Sequence, residues 1–105
     1  MKALPTVNFK GIDADFMRKV ERLDVVHHDV FGQQLTITSA NDGTHSKGSK
    51  HYRGLAVDMR SWDKDDAQQV LWGTILAYLA PRWNLAVFDE RARDKGPHWH
   101  IEVAD

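Results

Sequence analysis

At 105 residues, 42% apolar and 28% charged, the chain has the make-up of one soluble globular domain covering residues 1–105. A formal net charge of −1 and the lack of a basic face give no reason to expect a nucleic-acid partner. Cysteine is absent, which excludes disulfides and thiolate metal sites, and no apolar run approaches the roughly 18 residues of a membrane span.

The start, Met1-Lys2-Ala3-Leu4-Pro5, lacks the apolar stretch of a secretory signal, and Pro5 to Gly11 reads as an extended or irregular lead-in. A helix is expected from Asp13, which supplies its N-cap. Phe16, Val20, Leu23 and then Val26 and His27 recur at helical spacing on one face, opposite Arg18, Lys19, Glu21 and Arg22. Gly32 ends it. This helix is scaffold, and His27 and His28 read as surface or capping histidines rather than ligands. Leu35 to Ser39 alternates and is rich in β-branched residues, so it is a strand; Asn41-Asp42-Gly43 then marks a turn.

The polar loop Gly43 to Lys50 delivers His45 and His51 to a strand over Leu55 to Arg60. Asp63 is expected to cap a second helix, with Lys64-Asp65-Asp66 in its first turn, where acidic groups oppose the positive end of the dipole. Val70, Leu71, Ile75, Leu76 and Leu79 supply its apolar face, Trp72 and Tyr78 read as core, and Pro81 lies just beyond its end. Leu85 to Phe88 and His98 to Val103 form the last strands, joined by the polar turn Arg91 to Pro97. The order helix, two strands, helix, hairpin predicts an α+β fold: a small antiparallel sheet of about four strands with two helices on one face. A site would open on the other face.

Chemistry concentrates in two places. Asp58 ends the apolar run Leu55-Ala56-Val57, where a carboxylate is costly to bury without a partner, and a metal ion is one such partner. Gly54, lacking a Cβ, lets the chain turn between His51 and that strand. In His98-Trp99-His100-Ile101-Glu102-Val103, alternation puts His98, His100 and Glu102 on one face and Trp99, Ile101 and Val103 on the other. Imidazole and carboxylate are the usual ligands of a catalytic zinc, which takes three from the protein. Taken singly, each pair fits ordinary surface or core histidines; their joint occurrence weakens that reading and leaves it level with a metal site.

The same residues carry a family resemblance. Ser49 to Asp58 matches the pattern S-x-H-x-x-G-x-A-x-D and resembles the D-Ala-D-Ala metallopeptidases, a superfamily that also holds phage L-alanyl-D-glutamate endopeptidases and the hedgehog signalling domain. Thr44 to Tyr52, with its additional upstream His45, looks like the hedgehog version, and the terminal His-x-His is the other hallmark. The similarity covers roughly residues 37 to 103.

What the resemblance implies is a zinc peptidase of the peptidoglycan stem-peptide class, with zinc-activated water as nucleophile. His51, Asp58 and His100 would be the Zn2+ ligands, with His98 the nearby non-ligand histidine that steadies an oxyanion. His45, Ser49 and Arg53 would border the substrate, Ser49 chiefly hydrogen-bonding within its loop. Thr38-Ser39-Ala40-Asn41-Asp42 stands where carboxypeptidase members carry T-S-G-Y-R, so endopeptidase action is favoured. Pro97 stands where many relatives place the general base; the candidates become Glu90, then Asp94, with Asp89 third. A wall-degrading enzyme with this start would need another exit, as a phage endolysin or virion-type enzyme or by a different export route, and the compartment stays open. The alternative is a non-catalytic, zinc-containing, hedgehog-like binding module.

Overall fold

The computed structural model describes residues 1–41, 48–90 and 98–105. Two helices, α1 (Ala14–Phe31) and α2 (Asp66–Arg82), accompany five strands: β1 (Lys2–Ala3), β2 (Thr36–Ser39), β3 (Ala56–Arg60), β4 (Leu85–Asp89) and β5 (His98–Val103). The strands form one sheet in the order β1-β2-β3-β5-β4. The fold is α+β, as expected, but the sheet has five strands and is mixed. β1 runs parallel to β2, and the other pairings are antiparallel. A two-residue strand has too few positions to show alternation, so β1 left no period to read. Among the described residues no helix is long and apolar enough to cross a membrane.

α1 begins where its cap dictates. The Asp13 carboxylate accepts from the Phe16 amide at 2.9 Å, and Gly32, at φ 70°, closes the other end with its amide on the His28 carbonyl. Phe16, Val20, Leu23 and His27 form the buried stripe. α2 starts two residues later than expected. Asp65, not Asp63, is the cap, because Gln68 completes a capping box with it: each side chain bonds the other's backbone amide at 2.8–2.9 Å. Pro81 falls inside the last turn rather than beyond it, with only Arg82 following.

The buried face of α2 also differs. Gln69, Trp72, Leu76 and Ala80 face inward, while Val70, Leu71 and Tyr78 are exposed. Gln69 explains the rotation. Its Oε1 accepts from the Trp99 indole N–H at 3.3 Å and its amide nitrogen donates to the Ser61 carbonyl, clamping α2 to the ends of β3 and β5.

One core joins both helices to one side of the sheet. Phe16, Val20, Leu23, Trp72 and Leu76 pack with Ile37, Val57, Met59, Trp99 and Ile101. Those sheet residues are alternate positions of their strands, so Asp58, His98 and His100 project from the opposite face. Each fully buried Leu or Ile here contributes about 1.5–3 kcal/mol, enough to hold the strand register.

His27 is an ionisable group buried against this core. Its Nδ1–H donates to the Gln33 carbonyl at 2.7 Å, Nε2 has no partner among the described residues, and the ring sits edge-on to Trp72 at 5.0 Å. Burial lowers its pKa from 6.5, against a smaller upward pull from the Gln33 bond. Because the neutral ring is favoured only in the folded state, stability is full above about pH 6.5 and falls as pH drops below it. Urea unfolding between pH 5 and 7.5 should show this loss, no steeper than about 1.4 kcal/mol per pH unit. A His27→Gln variant, weaker throughout, should lose that part of the slope; parallel curves for the two proteins would contradict the assignment.

Candidate metal centre

Three elements bring three side chains to one point. β3 and β5 pair Asp58 directly with His100, which sets those two side chains next to each other on the open face. His51 arrives on a short 3-10 helix, Lys50–Arg53, whose N-cap Ser49 accepts the His51 amide through its Oγ at 3.2 Å. Ser49 is therefore spent on shaping the turn.

Gly54 ends that turn at φ 70°, where its carbonyl accepts from the Asp13 amide at 2.9 Å. A Cβ at Gly54 would come 2.1 Å from the Gly11 carbonyl oxygen, so only glycine lets the His51 turn seat against the start of α1.

The atoms that could ligate an ion are His51 Nε2, Asp58 Oδ1 and His100 Nδ1. They lie 3.2 Å (His51–Asp58), 3.2 Å (His51–His100) and 3.0 Å (His100–Asp58) apart. Ligand atoms around a tetrahedral ion bound at about 2.1 Å are about 3.4 Å apart, so the triangle is nearly of the right size. All three residues are under a tenth exposed.

The outer nitrogens decide what the inner atoms offer. His51 Nδ1 lies 2.7 Å from the Ala40 carbonyl and His100 Nε2 lies 2.8 Å from Glu102 Oε1, both pure acceptors. Each outer nitrogen must therefore carry the hydrogen, leaving a bare lone pair on the inner nitrogen of a neutral ring. With Asp58 Oδ1, three lone pairs point at one another. Such a group needs a positive centre. The donor set fits a metal ion held by two imidazoles and a carboxylate, with the outer carboxylate and carbonyl fixing both tautomers.

Protons are the other occupant. Burial opposes ionisation of Asp58, but hydrogen bonds from His100 and His51 outweigh it and hold the carboxyl well below the usual range. Burial likewise lowers His100, yet Asp58 and Glu102 together push it up. Both shifts have one origin: the carboxylates of Asp58 and Glu102 beside the rings favour positive charge at this point.

Behind Glu102 stands Lys50. Its ammonium lies 3.1 Å from Glu102 Oε2, 2.6 Å from Asp105 Oδ1 and donates to the Val103 carbonyl at 2.6 Å. Lys50 thus ties the turn carrying His51 to the strand carrying His100. Neither Lys50 nor Glu102 stood out as a functional residue in the sequence. The signal for Glu102 was there, since it follows His100 by two on the same strand face.

Beside the triangle, His98 Nε2 lies 2.8 Å from Glu90 Oε2 and 3.7 Å from Asp58 Oδ1. Side-chain exposure rises from 2% at His51 to 14% at His98 and 23% at Glu90, so the group opens to solvent on that side. Phe88, half exposed, walls it with its ring 5.8 Å from that of His100. Asp89 pairs in register with Trp99, so β4 turns its side chain to the helix face, away from the triangle. Arg53 is exposed at the end of the 3-10 helix, and the charge it faces is that of Asp105. His45 and Asp94, expected at the rim and as a second base, lie outside the described residues.

Compared with known proteins, the chain matches no family model and no curated protein.

Two variants test the construction. Glu102→Gln should fold normally but bind metal about 10- to 100-fold more weakly, since the His100 tautomer loses its anionic partner. Competition against a chromophoric chelator reads this out, and an unchanged affinity would contradict the role. Gly54→Ala should destabilise the fold by about 3 kcal/mol, because left-handed strain adds to a backbone clash. A melting temperature within a degree of the parent's would refute that packing.

Proposed function

We propose that the chain is a zinc-dependent peptidase that hydrolyses an amide bond in peptides of the peptidoglycan stem class, as an endopeptidase rather than a carboxypeptidase. The observation that carries the reading is a ligand triangle of two histidines and an aspartate with a carboxylate–imidazole pair, Glu90–His98, on its solvent side. A purely structural ion has no use for such a pair. Zinc suits the set because it accepts mixed nitrogen and oxygen ligands and keeps a position open with three from the protein. The substrate class rests on the resemblance of Ser49–Asp58 and His98–His100 to the D-Ala-D-Ala metallopeptidases.

Bound zinc supplies Lewis acidity and makes water acidic near neutral pH. The chain's own groups do the rest. Glu90, partly exposed and reaching the triangle through His98, would take a proton from water and return it to the leaving amine. His98, donating from Nε2, can turn from Glu90 to an oxygen that gains negative charge as the amide carbon becomes tetrahedral. Asp58 and His100, held by β3 and β5, stay fixed through these steps.

Glu90→Gln should leave zinc stoichiometry at one and lower kcat on wall peptides about 100-fold or more. His51→Ala should abolish both zinc binding and turnover. Peptide release from several wall types, followed by chromatography with zinc-loaded protein, is the measurement. Protein that holds zinc at the triangle yet releases no peptide would overturn the enzyme reading and leave a zinc-containing binding module.

A further inference from the structure

α2 is apolar on both of its long faces. Its inner face meets the sheet through Trp72, Leu76 and Ala80, while Val70, Leu71 and Tyr78 are exposed on the outer one. At 71% exposed, Val70 is the barest large apolar side chain among the described residues. From Ala67 to Pro81 every exposed side chain of this helix is uncharged, with Thr74 and Ala77 completing the strip. α1, on the same side of the sheet, follows the ordinary rule and exposes Asp15, Arg18, Glu21, Arg22 and Asp29. In a chain that is 28% charged, a helix face without charge marks an interaction surface.

The strip has the same layout from either end. At 3.6 residues per turn, Val70, Leu71, Ala77 and Tyr78 lie within about 60° of Thr74 around the helix, and Asp66 and Arg82 bound them about 80° out on either side. Val70 and Tyr78 are equally far from Thr74 along the axis, as are Ala67 and Pro81, and Asp66 and Arg82. Asp66 sits in the first turn and Arg82 in the last, and neither has an ion-pair partner among the described residues. The Arg82 guanidinium lies 3.6 Å over the Tyr78 ring and donates to the Tyr78 carbonyl at 2.6 Å, so it is held beside the strip.

We propose that this face of α2 is the interface of a homodimer, in which the α2 of a second copy lies antiparallel across it with the two-fold axis beside Thr74. A two-fold interface must be complementary to itself, and an uncharged strip with opposite charges at its two ends is matched by the same helix reversed. Crossing at about 50° lays the row Asp66, Val70, Thr74, Tyr78 and Arg82 alongside the partner's row in the opposite order. Val70 then packs on the partner's Tyr78, and Asp66 meets the partner's Arg82 at each end. A lipid surface is the poorer occupant, because helices that lie on membranes carry Lys and Arg around the apolar face, and Arg82 is the one basic residue of α2. The 17 residues make a face about 25 Å long and about 10 Å wide, small for an obligate interface, so the dimer belongs to the weak, reversible class. The helices cover the sheet face opposite Asp58, so both metal triangles stay open and the interface stands apart from the peptidase reading.

Sedimentation equilibrium of the full chain between about 10 μM and about 1 mM tests this. The mass should climb from 12.0 kDa towards twice that value. Val70→Glu, which sets a charge against the partner's Tyr78, should weaken association at least tenfold with the melting temperature of the dilute protein unchanged. Asp66→Arg and Arg82→Asp should each weaken it severalfold, and the double variant should restore it, a rescue that requires this helix to pair with itself in reverse. Thr74→Cys supplies the only thiol of its variant, since the chain has no cysteine, and should form a disulfide dimer on mild oxidation at least tenfold faster than Asp29→Cys on α1. A mass fixed at 12.0 kDa across the range would overturn the proposal, as would a dimer indifferent to these substitutions. A chain that stays monomeric but sediments with phosphatidylcholine vesicles, and stops doing so with Val70→Glu, would overturn the second copy in favour of lipid.

Discussion

Asp58 is a carboxylate driven into the sheet by an apolar strand, and the surroundings of β3 answer to its charge. Burial of an anion is tolerable only with a positive centre close at hand, and here two imidazoles aimed by the backbone converge with Asp58 on a point where a cation fits. β5 brings His100 by register and the 3-10 helix brings His51 by a turn that tolerates no Cβ at Gly54. Each imidazole is fixed from behind, by Ala40 and by Glu102. The result is a cluster of lone pairs that is unfavourable alone and favourable around a cation. The core holds the register, and an ion at this point would relieve the repulsion the register creates, which would couple ion binding to the fold.

Rigidity is distributed unevenly around that point. The helix face is closed by Trp72, Trp99 and the Gln69 clamp, and the Lys50–Glu102–Asp105 network locks the end of β5 to the turn carrying His51. The solvent side is built from partly exposed groups, Glu90, His98 and Phe88. A stiff back and an accessible front suit chemistry on a bound chain better than simple ion storage, which asks for closure on every side.

Much of this could be read from the residues alone, for definite reasons. α1 announces itself because Asp13 and Gly32 bracket a single stripe of Phe16, Val20, Leu23 and His27. The alternation of His98 to Val103 separates ligand face from core face unambiguously. Asp58 drew notice because a carboxylate in that apolar run is costly to bury without a partner. Other features were not legible. β1 is too short for a period, and its pairing with β2 is a tertiary fact. Three aspartates compete to cap α2, and only the reciprocal bonds with Gln68 select Asp65. α2 carries apolar residues on several sides, so its buried face was set by Gln69 and Trp72 reaching their partners rather than by hydrophobicity. Spacing put Glu102 on the face of His100, but that it holds the ring's outer nitrogen depends on the ring orientation.

The account stands on a single ion shared by His51, Asp58 and His100, and anomalous diffraction from a crystal grown with zinc addresses that directly. The account predicts one strong peak at the zinc edge, about 2.1 Å from His51 Nε2, Asp58 Oδ1 and His100 Nδ1, with density for solvent on the Glu90 side. A map with no peak between those three atoms, or with zinc bound only elsewhere on the surface, would contradict it.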